Sequence, residues 1–257
     1  MNFRRVTWIV LIGYLLVTLY SVAVVGLKLP QIFPITPIST LLAFSFAILH
    51  SGQREGWRKT AFLAVIVFLT GLVFESVGVA TGWVYGPYHY TDKLGMKFLG
   101  LVPFLIPLAW TMMMYPSLVI AEHLIPRSWQ RLRRWLAVAT VGGMIMTAWD
   151  VVMDPLMVNG GHWVWEVNGP FFGVPLQNYW GWWLTTFTAL LIYQFAVARV
   201  RDHPVGIPDR WAIGSYLITA ASTVVVAGLV GLAGPALAGI FAMTPWLVLS
   251  VVHKEEG

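Results

Sequence analysis

Residues 135–154 read WLAVATVGGMIMTAWDVVMD: a long apolar run, then two acids, Asp150 and Asp154, at its end. About 20 mainly apolar residues are what a helix needs to cross the hydrocarbon of a bilayer. The two acids stand four apart, so on a helix they stack on one face. A charged side chain at the bilayer centre costs about 2.5–3.5 kcal/mol on insertion scales. A pair of acids in such a segment therefore asks for a chemical reason.

Working outward, seven more runs of this kind follow the same logic, at roughly 6–27, 33–50, 60–82, 98–122, 179–198, 211–232 and 235–252. The last two are separated only by Ala233 and Gly234, so a seven-span count is the alternative. The first run follows Arg4 and Arg5 like a signal peptide, but it is too long and lacks a small-residue cleavage site, so it reads as a span. Composition agrees. Of 257 residues, 58% are hydrophobic and 11% charged, and the mean hydropathy is +0.74. Soluble domains run at roughly 45–50% apolar and about 25% charged. The expected fold is an all-α polytopic membrane protein of about eight transmembrane helices, a single integral-membrane domain over residues 1–257. With no cysteine, disulfides, thiolate metal sites and cysteine nucleophiles are excluded.

With eight spans, thirteen of the sixteen basic residues fall on one side: Arg4, Arg5, Arg54, Arg58, Lys59, Arg127, Arg131, Arg133, Arg134, Arg199, Arg201, Arg210 and Lys254. Lys28, Lys93 and Lys97 fall on the other. The positive-inside rule then places both termini in the cytoplasm. The net charge of +5 is thus a matter of topology and lipid headgroups. No water-exposed basic domain exists to bind nucleic acid.

Two outward loops stand apart, TGWVYGPYHYTDKLG at 81–95 and the stretch from Asp154 to Asn178. Their Gly and Pro imply shaped turns, and the second is long enough to dip back or form a short hairpin over the bundle. The loops also echo each other. Trp83-Val84-Tyr85, Val102-Pro103 and Trp110 match Trp163-Val164-Trp165, Val174-Pro175 and Trp182, each last Trp standing seven beyond its Pro. The echo suggests a parallel repeat of helix pairs three–four and five–six, an architecture that puts a site at the repeat interface.

Three acids fall within spans near the outer end: Glu75, Asp150 and Asp154. Glu122 lies near the inner end of span four beside His123 and Arg127 and reads as an interfacial ion pair. Pro155 makes Asp154 a candidate helix terminus. Gly71, Gly78 and Gly82 share a face with Glu75 and would let another helix approach, turning Glu75 inward. If spans three and five are neighbours, the three acids share one chamber. A buried acid beside another is a potential general acid at neutral pH. His89 and His162 lie in the aromatic loops and are weaker candidates to orient an acid or a water. No HExxH, phosphate loop, dinucleotide fingerprint or GxSxG is present, so neither metal nor nucleotide cofactor is expected.

The run Glu75-x-x-Gly78, Thr81-Gly82-Trp83-Val84-Tyr85-Gly86-x-Tyr88-x-Tyr90, Val102-Pro103 through Trp110 and Pro116-Ser117, with Trp149-Asp150-x-x-x-Asp154-Pro155-x-Met157, Gly161-x-Trp163-x-Trp165 and Asn178-Tyr179-x-Gly181-Trp182, resembles the integral-membrane carotenoid biosynthesis proteins. These are of the gamma-carotene 1',2'-hydratase and bisanhydrobacterioruberin hydratase type. The match covers about residues 70–185, the motif-bearing core. The resemblance implies cofactor-independent addition of water to the terminal double bond of a linear carotenoid end group. The substrate would be of the lycopene, gamma-carotene or bacterioruberin-precursor type. The setting would be the cell membrane, with membrane lipid and other carotenoid enzymes as partners.

The residues suit that chemistry. Hydrating a trisubstituted alkene needs an acid to protonate one carbon and a carboxylate to stabilise the cation and take a proton from water. Asp150 and Asp154 are assigned as the acid–base pair, with their order open, and Glu75 as a third candidate. Tyr85, Tyr88, Trp149, Trp163, Trp165 and Asn178 are assigned to the end-group pocket, where aromatic faces also stabilise cations. A carotenoid cyclase starts with the same protonation and stays an alternative. A magnesium-dependent prenyltransferase would need two aspartate-rich clusters. A proton-coupled carrier is a further alternative, since membrane acids near a repeat suit one, as is an assembly partner without chemistry of its own.

Overall fold

In lipid, backbone N–H and C=O groups must be satisfied within the chain, which leaves apolar runs of this length little choice but the helix. The computed structural model describes residues 3–252, and Lys254 lies outside them. Among the described residues there are eight helices: α1 (Phe3–Gly26), α2 (Ile35–Arg54), α3 (Trp57–Thr81), α4 (Leu105–Leu124), α5 (Arg131–Asn159), α6 (Leu176–Val197), α7 (Arg210–Leu229) and α8 (Ala233–Val252). Seven are long and apolar enough to cross a membrane. The other, α6, has 22 residues, about 33 Å at the α-helical rise, but Gln177, Asn178 and three tryptophans make it more polar. The protein is a multi-pass membrane bundle.

The helix boundaries differ from the expected ones where local chemistry competes. Helix α5 runs straight through Pro155 to Asn159, so Asp154 is an interior residue rather than a terminus. Membrane helices accept such prolines because packed neighbours re-satisfy the freed carbonyl. Helix α4 starts at Leu105, not near residue 98, because Lys97–Phe98 (β2) and Val102–Pro103 (β3) pair as a hairpin. Its turn holds Leu99 and Gly100 at φ 51° and 73°, the left-handed pair that tight hairpins require.

The two aromatic loops meet each other. Tyr88–Tyr90 (β1) pairs antiparallel with Trp163–Trp165 (β4), with Tyr88 opposite Trp165, His89 opposite Val164 and Tyr90 opposite Trp163. Side chains alternate along a strand. Tyr88, Tyr90 and Trp163 therefore point into the bundle and are buried, while His89 and Val164 face out. The second loop also folds on itself through bridges Gly169–Gly173 and Phe171–Val174.

Two segments of like element order, α3–β1–α4 and α5–β4–α6, meet where β1 pairs antiparallel with β4. Trp110 and Trp182, the matching residues of the two halves, stack with centroids 4.3 Å apart and planes at 30°. The register of the echo is different, however. Trp83-Val84-Tyr85 forms the turn after α3, and the counterpart of β4 is residues 88–90. Helices α3 and α5 are joined mainly through α4 and α6, each of which packs on both. Glu75 and Asp154 thus share one cavity although α3 and α5 meet mainly through α4 and α6.

Helices α1, α2 and α7 form a wing against this core, and α8 covers α5 and α7. At the basic end, Glu122 pairs with Arg54 at 2.7 Å, rather than within its own Glu122–Arg127 neighbourhood. Arg54 also forks onto Asp209 through Nε and Nη2 at 2.7 and 3.0 Å and reaches Glu55. The ends of α2, α4 and α7 are tied together there.

Tyr85 enters the core where Gly78 of α3 and Gly181 of α6 leave room. A Cβ on Gly181 would stand 2.5 Å from the Tyr85 ring and 2.6 Å from the Val84 carbonyl. Gly181→Ala is expected to destabilise the protein by about 1–3 kcal/mol. Gly214→Ala, at an α7 position with nothing within 4 Å, is expected to be neutral or stabilising by up to about 1 kcal/mol. Thermal unfolding of both variants in detergent checks the pair.

Candidate functional site

Each half of the repeat carries one carboxylate held by the rings of its own strand. Glu75 of α3 accepts from the Tyr88 hydroxyl through a short bond to Oε2, from the Tyr90 hydroxyl at 2.8 Å, also at Oε2, and from Trp110 Nε1 at 2.9 Å at Oε1. Asp154 of α5 accepts at Oδ1 from Trp163 Nε1 at 3.2 Å and Trp165 Nε1 at 2.9 Å. The shells touch, since the Tyr88 ring lies 5.0 Å from Trp165 and the Tyr90 ring 5.8 Å from Trp163. Strand alternation places both donors of each strand on one face, toward the acid they bond.

The shells differ in what they accept. Trp Nε1 and the Asn amide nitrogen only donate, whereas a Tyr hydroxyl both donates and accepts. Around Asp154 every partner is a pure donor: the two tryptophans and Asn178 Nδ2, at 2.9 Å from Oδ2. That shell fits a carboxylate. Around Glu75, two of three partners are hydroxyls, so the shell fits a carboxylic acid as well. Burial, followed by the charge of Glu75, pushes the Tyr88 and Tyr90 hydroxyls well above the ordinary tyrosine value, so both keep their protons.

Asn178 also donates to Asp150 Oδ2 at 2.7 Å. One amide thus bridges the two acids that the four-residue spacing stacks together. Asp150 is fully buried, and its Oδ1 has no hydrogen-bond partner among the described residues.

A cavity of about 410 Å³ opens onto this cluster, and its lining is mostly apolar and aromatic. Glu75 and Asp154 line it; Asp150 does not. Tyr85, Tyr88, Trp149, Trp163, Trp165 and Asn178 all line it as well. Trp149 donates to Thr223 at 3.1 Å and sets its ring edge-on to Trp182, which in turn stacks on Trp110. Three indoles thereby form a wall from α7 to Glu75. Gly71, expected to admit a helix, lets α4 approach with its Trp110 ring.

Of the two histidines, His162 lines the cavity, and burial pulls its ring below the usual histidine range. His89 points outward to Glu166 at 3.3 Å. Among the described residues no group of three or more His, Asp or Glu is placed to hold a metal. Tyr90, Trp110 and Trp182 were not singled out for the site from the sequence. The signals were there: Tyr90 is two residues beyond Tyr88, on the same strand face, and the two tryptophans are the matched positions of the repeat.

Fold and site together define a multi-pass membrane bundle with a paired-acid, aromatic-walled cavity within its span. The family described as carotenoid biosynthesis protein matches residues 35–245, and the chain belongs to that family. A curated relative, the bisanhydrobacterioruberin hydratase of Haloarcula japonica, is 35% identical over 159 residues, which is 59% of this chain and 53% of the relative. The match thus spans about half the length of that relative. No solved structure matches the chain.

A hydrogen bond to a charged group contributes about 1.5–3 kcal/mol, so Asn178→Ala is expected to destabilise the protein by about 2 kcal/mol or more. In an Asp150→Asn background the same change is expected to cost less, because one of the two bridged carboxyl groups is gone. A double-mutant cycle of unfolding free energies in detergent measures the coupling. Strict additivity would deny the bridge.

Proposed function

We propose that this protein hydrates the terminal trisubstituted double bond of a linear carotenoid end group, giving a tertiary alcohol. The observation that carries the reading is one apolar cavity lined by two carboxyl groups with unlike shells, Glu75 with hydroxyls and Asp154 with N–H donors only. Membership of the carotenoid biosynthesis family and likeness to a hydratase of bisanhydrobacterioruberin support it.

In this mechanism Glu75 is the acid. Its proton goes to the less substituted alkene carbon, and Tyr88 and Tyr90 reorganise to donate to the carboxylate left behind. The tertiary cation faces Asp154 and the indole walls. Charge–charge attraction in a dry cavity is stronger than in water, and each aromatic face adds about 0.5–2 kcal/mol. A water molecule attacks the cation and gives its proton to Asp154. Alkene and water become alcohol, and the cycle closes when the proton passes back from Asp154 to Glu75. Asp150 acts behind the cavity, holding Asn178 across to Asp154. The Asp150–Asp154 acid–base pair suggested by spacing is the alternative assignment, and Glu75 is preferred here because it lines the cavity and Asp150 does not.

The polyene enters from the hydrocarbon of the cell membrane, with the basic end of the bundle in the cytoplasm and the acids near the outer face. Lycopene-type and bacterioruberin-precursor ends both present the required alkene.

Positioned general acids and bases contribute roughly 10²–10⁴-fold. Glu75→Gln and Asp154→Asn are each expected to lower hydration at least roughly a hundredfold while the protein stays folded. Tyr88→Phe and Asp150→Asn are expected to lower it less. The assay is pigment analysis of a lycopene-making host and of purified enzyme supplied with linear carotene. A cyclic hydrocarbon product would replace the hydratase reading with a cyclase, and unchanged pigments with proton-coupled uptake would replace it with a carrier. Full activity in both carboxylate variants would remove the mechanism.

A further inference from the structure

Opposite the acids, the cavity is walled by α1, α2 and α7, and this wall is unlike the rest of an apolar lining. It presents hydroxyls from three helices, among them Thr18, Ser39, Thr40 and Ser222. Several have already spent their only proton on their own helix. Thr18 donates to the Tyr14 carbonyl at 2.8 Å, Ser39 to Thr36 at 3.0 Å and Ser222 to Thr219 at 2.9 Å. Their remaining lone pairs are acceptors.

Three lining hydroxyls, those of Ser21, Thr36 and Thr40, form no hydrogen bond among the described residues, and Thr40, 5% exposed, is the most buried of the three. A hydroxyl that faces an apolar cavity without a partner is unfavourable. Together, the wall offers several acceptors and three free donor–acceptors, Thr40 the most enclosed, inside an otherwise oily chamber. A neutral hydroxyl group, which both donates and accepts once, is the complementary ligand. A carboxylate or phosphate is not, because no cation lines the cavity.

We infer that the α1–α2–α7 wall is a binding subsite for a neutral hydroxyl group, with Thr40 as its contact. The hydroxyl comes either from an alcohol carried by the polyene ligand or from a water molecule that the wall holds until a hydrocarbon displaces it. The subsite rests on the reading of this cavity as a carotenoid site, but it requires no turnover. Placed on a different wall from Glu75 and Asp154, it would recognise a ligand by a group other than the alkene that reacts.

The test is binding to the purified full chain in detergent, read by quenching of tryptophan fluorescence. Two probes are used: a linear polyene hydrocarbon and the same polyene with a tertiary alcohol at one end. Thr40→Val keeps the shape and removes the hydroxyl. If the ligand brings the hydroxyl, the native protein prefers the alcohol by roughly three- to tenfold, about one net hydrogen bond, and Thr40→Val loses that preference. If water is held there, the native protein shows no preference, and Thr40→Val binds the hydrocarbon more tightly because no water must be displaced. Thr18→Val, on the facing helix, is expected to act in the same direction and covers the case of a poorly folding Thr40 variant. The unfolding temperature without ligand separates a structural role: loss of an unpartnered hydroxyl should not lower it. Equal affinity of native and both variant proteins for both probes overturns the subsite. Failure of the hydration assay, with the binding preference intact, would overturn only the proposed reaction.

Discussion

A carboxyl group placed in hydrocarbon must find hydrogen-bond partners inside the protein, because water is absent and an unpartnered charge is costly. Glu75 and Asp154 find theirs in the side chains of two three-residue strands, Tyr88 and Tyr90 for one, Trp163 and Trp165 for the other. Much else follows from that demand. The strands must pair to bring four rings to one face. The loops carrying them must be shaped by glycine and proline. Gly78 and Gly181 must stay small so that Tyr85 can pass between α3 and α6.

The same arrangement suits the proposed chemistry. Indole and amide nitrogens can only donate, so they suit a group that remains a carboxylate. Phenol hydroxyls can turn around, so they suit a group that gains and loses a proton. Two acids in one cavity can then play different parts without differing much in burial. Large aromatic rings supply both the donors and the walls, which explains why Trp and Tyr dominate these loops beyond their ordinary preference for the membrane interface.

The two segments of like order, α3–β1–α4 and α5–β4–α6, meet with Trp110 against Trp182 and β1 against β4. The two sides of that contact are unlike. One holds its acid with tyrosines and a tryptophan, the other with tryptophans and an asparagine that reaches a second acid. A cavity at such an interface is bounded by unlike walls, as asymmetric acid–base chemistry needs. The wall from α1, α2 and α7 lies outside those two segments.

Much was legible in the chain. The eight helical runs and the three buried acids can be read from hydropathy and charge, because helices in lipid are built from local runs and the cost of charge acts residue by residue. The stacking of Asp150 and Asp154 was legible too, since four residues is a helical repeat, and the family motifs marked the right loops. What only the tertiary structure decided were relations between distant segments: that Tyr88–Tyr90 pairs with Trp163–Trp165, that Asn178 bridges the two aspartates, that Glu122 meets Arg54, and that Glu75 and Asp154 share the cavity while Asp150 stands behind it. Helical periodicity says which residues of one helix share a face. It does not say which neighbour that face meets, because packing between helices is settled by ring shapes and glycine gaps on several elements at once.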